Sequence, residues 1–294
     1  MLFKNFQYNL LKAISAFVCL LPYSLVCHIG RSLGYLFYLV GARQRRRAIS
    51  QSMDCLQISL SEAKQIVHTV FGNLGQTLME VLYTPALTPE KIKKHIAIEG
   101  LEHLRGAIDQ GRGVVLLTAH IGNWEWLGAV LANTGLPITT IAKPQPNPHY
   151  TRLLNEYREK MGLEVFNRSG AELVKAARAL KKGKALGFLA DEDGGVDGIF
   201  VDFFNRKSAT PAGPAVFARK FGSIIVPAFI FHRPEGGHQI VIKPAFPYER
   251  YDDETQELYE NTAKMTQAIE EAIRNHPSDW IWFRKRWNTK YPKQ

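Results

Sequence analysis

A chain of 294 residues, 46% of them apolar, can bury a sizeable core, which excludes a disordered or fibrous protein. Its 37 lysines and arginines against 27 acidic residues leave a net charge of +10, which favours phospholipid headgroups, nucleic acid, acidic carrier proteins or phosphorylated substrates without choosing among them. Cys19, Cys27 and Cys55 all lie in the first fifth of the chain with no CxxC or Cys/His cluster, which argues against a disulfide framework, a zinc site or a cysteine nucleophile in the later core.

The first element in chain order is "AISAFVCLLPYSLVCHIG", 18 residues without a charged side chain, close to the ~20 that cross a hydrocarbon core as a helix. Pro22 and His28 make it a poor span. A second apolar stretch, "SLGYLFYLVGA", follows, and then "RQRRR" with Arg43, Arg45, Arg46 and Arg47. The region reads as membrane-seeking, an anchoring segment over residues 1–42 ahead of a domain at 43–294. A cleaved signal peptide fits less well, because apolar character continues past the h-region. If the segment spans, the arginines behind it place the rest of the chain on the cytoplasmic side. Two buried core helices, or a segment lying in the interface, remain open readings.

Helical spacing continues through "SEAKQIVHTVFGNLGQTLMEVLY", "TPALTPE" breaks it, and strand–helix alternation begins near Ile96. Strands are predicted at "GVVLLTA", "PITTIA", "LEVFNR", "ALGFLAD", "SIIVPAFIF" and "QIVIKPA". Helices are predicted at "NWEWLGAVLAN", "NPHYTRLLNEYREKMG", "AELVKAARALKKG", "PAGPAVFARKFG" and "DETQELYENTAKMTQAIEEAIRNH". The fold class is α/β, a mixed sheet flanked by helices behind an N-terminal helical segment.

Within "LLTAHIGNWEWLG", His120 falls at the C-terminal end of a buried strand, where open α/β sheets gather their active sites. Asn123 is a natural N-cap for a helix starting at Trp124, and Glu125 falls in its first turn. If the turn folds Glu125 back on the His120 ring, the carboxylate holds one nitrogen and leaves the other as a base for an attacking alcohol. Gly122 permits close approach, and the amides opening the helix are candidate oxyanion donors. A histidine ending a strand and a glutamate decorating a helix start fit the same letters.

The neighbouring blocks bear on that choice. "HIGNWE" resembles the H-x4-D/E motif of the glycerolipid acyltransferase superfamily, and above all its lipid A biosynthesis branch. "KPQPNPHYTRLLNEYR", "LADEDGG", "FVDFFNRKSATPAGPAVFARKFGSIIVPAF" and "WIWFRKRW" resemble that branch's further blocks, in its order, over most of residues 96 to 290. The resemblance implies an acyl chain passing from acyl carrier protein to a hydroxyl of a lipid A precursor at the inner face of the cytoplasmic membrane. It implies no cofactor and no metal, with acyl carrier protein as the donor co-substrate and membrane lipids as the other expected partner. It implies His120 as general base and Glu125 as its orienter, with Arg158 near the site and Asp191 as a positioning residue for Arg158 or the acceptor. Asp191, Asp193 and Asp197 together invite a calcium loop but miss its spacing.

"VDFFNRKSATPAGPA" sets Phe203, Phe204 and Arg206 ahead of a helix, a composition suited to an acyl tunnel mouth and an anion site, or to plain core packing. Trp280, Trp282 and Trp287 with Arg284, Lys285 and Arg286 suit a membrane interface or an acidic carrier protein. No nucleic-acid module surrounds them. Competing functions are a glycerol-phosphate or lysophospholipid acyltransferase, which usually carries aspartate where this chain has Glu125, a membrane ester hydrolase, and a non-catalytic binder of anionic membranes.

Overall fold

The computed structural model describes residues 6–291. Its centre is a seven-stranded mixed sheet of β1 (Ile96–Glu99), β2 (Val114–Thr118), β3 (Ile138–Ala142), β4 (Glu164–Asn167), β5 (Ala185–Leu189), β8 (Ile224–His232) and β9 (His238–Ile242). The order across the sheet is β1-β9-β8-β2-β5-β3-β4, with β8 and β9 antiparallel and every other pair parallel. All six predicted strands are present. The separate hairpin of β6 (Ile199–Phe203) and β7 (Arg206–Thr210) was not legible as strands, because Asp202, Arg206 and Lys207 interrupt its apolar pattern. Its turn, Phe204–Asn205, has φ of 53° and 56°, and the first of these is an unusual conformation for an aromatic residue.

β2 is buried on both faces, as expected at the middle of a largely parallel sheet. Val115 and Leu117 point to a core shared with α9 (Gly170–Lys181), α10 (Gly213–Phe221) and α11 (Glu254–Asn275). Val114 and Leu116 point to the opposite core, shared with α6 (Leu101–Asp109) and α7 (Trp124–Asn133). α8 (Pro148–Lys160) lies on the α7 side and packs on β4.

The N-terminal region forms α1 (Phe6–Leu20), α2 (Tyr23–Val40) and α3 (Ala42–Leu56), with Pro22 separating the first two. Among the described residues no single helix is long and apolar enough to cross a membrane, although α2 and α3, bent by 92°, pass on length and composition together. The arginine run lies on α3, where Arg45 caps α2 by donating to the carbonyls of Tyr38 and Leu39.

α2 lies along α4 (Leu60–Tyr83), so the boundary at residue 42 coincides with no gap in packing. Their backbones approach so closely that a Cβ added at Gly34 would sit 2.0 Å from the Phe71 carbonyl oxygen. Gly34→Ala should therefore cost about 1–3 kcal/mol through overpacking. Gly106→Ala is the control, in an open helical position where a Cβ meets nothing within 4 Å and alanine is the better helix former. Thermal midpoints in detergent check this, and equal midpoints for the two variants would show that α2 does not depend on the close approach.

Candidate active site

Parallel register builds the site. Thr118 of β2 pairs with Leu189 of β5, and the Ala190 amide donates to the Thr118 carbonyl, so the residues two places further on, His120 and Asp191, meet beyond the strand ends. Asp191 Oδ1 accepts from the His120 backbone amide at 3.1 Å and from the imidazole Nδ1 at 2.8 Å, while Oδ2 accepts from Trp280 Nε1 at 2.8 Å. The Asp191 side chain is fully buried, and burial opposes its ionisation. The charge of His120, the hydrogen bonds from His120 and Trp280, and the charge of Arg284 outweigh that, holding its carboxyl well below the usual carboxylate range. An ionised carboxylate only accepts, so Nδ1 carries a hydrogen, and in the neutral ring Nε2 keeps its lone pair.

His120 retains 12% side-chain exposure, Trp124 stands edge-on to its ring at 5.0 Å, and Glu192 Oε1 is 3.9 Å from Nε2. Glu192 is in turn paired with Arg284. Neither Glu192 nor Arg284 was anticipated in this place. The adjacent acid of "LADEDGG" was the available signal for Glu192, since a residue following a strand-end carboxylate shares its surroundings.

The expectation that Glu125 orients His120 is corrected by this geometry. Glu125 sits at the start of α7 facing α8, where Arg158 grips it with both arms of its fork, Nε to Oε2 at 2.8 Å and Nη2 to Oε1 at 2.7 Å. Arg158 also donates to Asn155, and Asp191 is not its partner, so that expected role is corrected too. The strand neighbour reaches the imidazole because sheet register brings it there, whereas Glu125 is carried away with the helix.

The turn between His120 and α7 is closely held. Gly122 has φ of +55°, a Cβ there would lie 2.2 Å from the Ile230 carbonyl oxygen, and its amide donates to the Asp279 carbonyl. The amides of His120 and Gly122 are thus spent, which leaves those of Trp124 and Glu125 at the helix start. Asn123 is the N-cap, its Oδ1 accepting from the Trp126 amide at 3.1 Å.

Arg206 does not join this group. It is exposed at the hairpin turn, with its guanidinium 4.6 Å from the centre of the Trp287 ring. Phe203 and Phe204 are buried against Trp280 and Trp282, so they pack the core and frame no tunnel mouth. Trp280 and Trp282 are fully buried, and Arg286, 1% exposed, donates to the Ala209 carbonyl and to Thr210. The terminal block therefore closes the core, with only Arg284 and Lys285 of its basic residues reaching toward solvent. Asp193 staples its loop, accepting from the Gly195 and Thr289 amides. A depression of about 370 Å³ lies between the hairpin and α11, lined by Asp202, Asn205, Glu249, Tyr259, Lys264 and Glu270, and it excludes every residue around His120.

Behind the turn lies a buried group absent from the sequence expectations. Glu80, His232 and His238 bring ligand atoms within 4.8 Å of one another. Both Glu80 oxygens are already taken: Tyr23 and Gln76 donate to Oε1 at 2.7 Å each, Asn123 to Oε2 at 2.8 Å, and His238 Nε2 lies 2.9 Å from both. These are hydrogen-bond spacings, shorter than the ~3.3 Å edge of a tetrahedron built on ~2.05 Å metal bonds, so the donor set fits a held carboxylate better than a metal centre. Burial opposes the Glu80 charge, but the charge and hydrogen bond of His238, then His232 and Gln76, outweigh it and bring its pKa to about 2. Glu80 lies on a buried helix face with Val70, Asn73, Gln76, Thr77 and Tyr83, and an acid on such a face was the available signal in the sequence.

The family model for bacterial lipid A biosynthesis acyltransferases matches residues 3–289. The chain belongs to this family. The lipid A biosynthesis lauroyltransferase of Escherichia coli K12 is 28% identical over 276 residues, covering 92% of this chain and 87% of that one. A phosphatidylinositol mannoside acyltransferase of Mycolicibacterium smegmatis is 29% identical over 226 residues, covering 76% and 72%. Among solved structures, a 1-acyl-sn-glycerophosphate acyltransferase from Thermotoga maritima aligns with a TM-score of 0.40 at 14% identity, over 81% of this chain and 99% of that one. The chain is thus an acyltransferase of the lipid A biosynthesis family, and His120 and Glu125 are the two ends of its H-x4-E sequence.

Proposed function

We propose that this acyltransferase moves a fatty acyl chain from acyl carrier protein to a hydroxyl of a lipid A precursor at the cytoplasmic face of the inner membrane, with His120 as general base. The observation that carries the reading is the locked imidazole, whose Nδ1 is committed to Asp191 while Nε2 is free at the end of the central strand. Nε2 takes the proton of the acceptor hydroxyl as its oxygen attacks the thioester carbonyl. The tetrahedral intermediate collapses with cleavage of the carbon–sulfur bond, and the imidazolium returns the proton to the departing thiolate. Direct transfer of this kind needs no cofactor and no covalent enzyme intermediate. The helix-start amides of Trp124 and Glu125 are the candidate oxyanion donors, and the Glu125–Arg158 pair holds that helix start against α8.

The localisation rests on the outer face of the first two helices. Phe6, Leu10, Ile14, Phe17 and Leu20 on α1 and Leu33, Leu36, Leu39 and Val40 on α2 are exposed, most of them three or four residues apart, a surface suited to lying in the interface of a bilayer. The charge of +10 suits both an acidic carrier protein and a phosphorylated acceptor. The similarity to the mannoside acyltransferase supports a second reading within the same chemistry, a mannosyl hydroxyl of a glycolipid as acceptor.

The decisive experiment gives the purified protein one acyl-carrier donor and either a lipid A precursor or a phosphatidylinositol mannoside. Mass spectrometry should find a single added acyl group on the lipid A precursor. Acylation of the mannoside alone would select the second reading, and release of free fatty acid without an acceptor would identify a hydrolase.

A further inference from the structure

We infer that Glu80 is a positioning residue for the catalytic turn, acting through Asn123; the inference rests on the acyl-transfer reading of His120. Glu80 itself is fully buried on α4 and cannot touch a substrate. Its Oε2 accepts from Asn123 Nδ2, while Asn123 Oδ1 caps the helix that starts at Trp124.

The choice of asparagine points to this role. Serine and aspartate cap a helix about as well, since a cap needs only an acceptor oxygen. Asparagine adds a donor on the same group, and here that donor is spent on Glu80. A second tie from α4 runs beside it, Thr77 Oγ1 donating to the Gly122 carbonyl at 3.3 Å. The turn is therefore held from one side by Asp279, through the Gly122 amide, and from the other by α4.

Glu80 is fixed in place by more than its own helix. Tyr23 reaches it from α2, His238 from β9, and Gln76 from the preceding turn of α4, with Gln76 in turn accepting from Arg31 of α2. Side chains of three elements, α2, α4 and β9, thus converge on one carboxylate, and that carboxylate hands its position to Asn123, between His120 and Glu125. Because the group is buried, loss of one partner leaves others unsatisfied, and its effect passes to the turn.

The test exchanges donor and acceptor across the pair. Glu80→Gln leaves the Asn123 amide facing an amide that need not accept it. Asn123→Asp keeps the helix cap but sets two carboxylates against each other. Combining them restores one donor and one acceptor in reversed order, with the introduced amide donating to the introduced carboxylate.

In the full-length protein, each single variant should lower kcat by about tenfold or more, since small displacements of a catalytic group are costly, with KM for donor and acceptor changed less than about threefold. The double variant should recover kcat to within about threefold of the parent. A role in stability alone would lower thermal midpoints without this split. A double variant as slow as the slower single one, a Glu80→Gln protein with parental kcat, or stoichiometric zinc in the parent would overturn the inference. If Asn123→Asp does not fold while the double variant does, that is itself the rescue. Thermal midpoints of the four proteins give the Glu80–Asn123 coupling without any substrate, and additive midpoints would overturn the inference even then. A parent protein inactive on both acceptors, with coupled midpoints, would count against the acyl-transfer reading alone.

Discussion

His120→Ala should lower turnover by at least the ~10²-fold typical of losing a general base, while the far-UV circular dichroism spectrum stays near that of the parent. The side chain makes one hydrogen bond, to Asp191, and the backbone amide of residue 120 keeps its own bond to the same carboxylate, so the turn retains its anchor. Neither substrate needs the imidazole for binding if its role is proton transfer. The loss should therefore appear in kcat, with KM nearly unchanged. A folded variant with near-parental turnover would remove His120 from the mechanism.

Asp191→Asn should lose about 10²–10⁴-fold in kcat, the scale seen when the carboxylate behind a catalytic imidazole becomes an amide. The carboxylate accepts three hydrogen bonds, from the His120 amide, the His120 ring and the Trp280 indole. An asparagine that turns its NH2 toward the ring would donate to Nδ1 and move the ring hydrogen to Nε2, the atom that must accept the substrate proton. One that turns its NH2 the other way would confront the indole N–H. Either orientation damages the site without removing volume. If instead Glu125→Gln proves the more damaging change and Asp191→Asn is near normal, the carboxylate serving His120 in solution is the one on the helix.

The same substitution carries a pH signature. Because the folded-state pKa of Asp191 is depressed, its contribution to stability is present above the unfolded aspartate value of ~3.9 and is lost as pH falls through the lower folded value. The parent should thus lose stability on acidification below about pH 4, and Asp191→Asn should lose less over the same interval. Across the neutral range Asp191 stays ionised, so its carboxylate is available to the imidazole throughout that range.

The alternation of buried strands and amphipathic helices was legible from β2 onward, the β6–β7 hairpin apart, because each of these elements writes its burial into its own periodicity. The strand ending at Thr118, the cap at Asn123 and the helix behind it follow from local preferences, and they place His120 at the end of a central strand without any long-range information. The ordered blocks from "HIGNWE" to "WIWFRKRW" were enough to indicate the family.

What periodicity does not encode is which distant residues meet. The partner of His120 lies 71 positions away and is selected by β2 pairing with β5 in one register, a choice made by the packing of the whole sheet. A carboxylate five positions along the chain looked nearer, but the helix that begins there turns it toward α8 and Arg158. The same reason governs Trp280, Trp282 and Arg286, whose composition suits a surface. They are buried because the chain after α11 returns beside the His120 turn, with Ile121 bridging to Trp280, and supplies the indole that holds Asp191. Likewise a long apolar N-terminal stretch fits a span, an interfacial pair or a core helix equally well until α4 offers glycines against which α2 packs. Local sequence determined the elements and the base, and tertiary packing decided the base's partner, because burial is a property of single elements while hydrogen-bond pairing is a property of their arrangement.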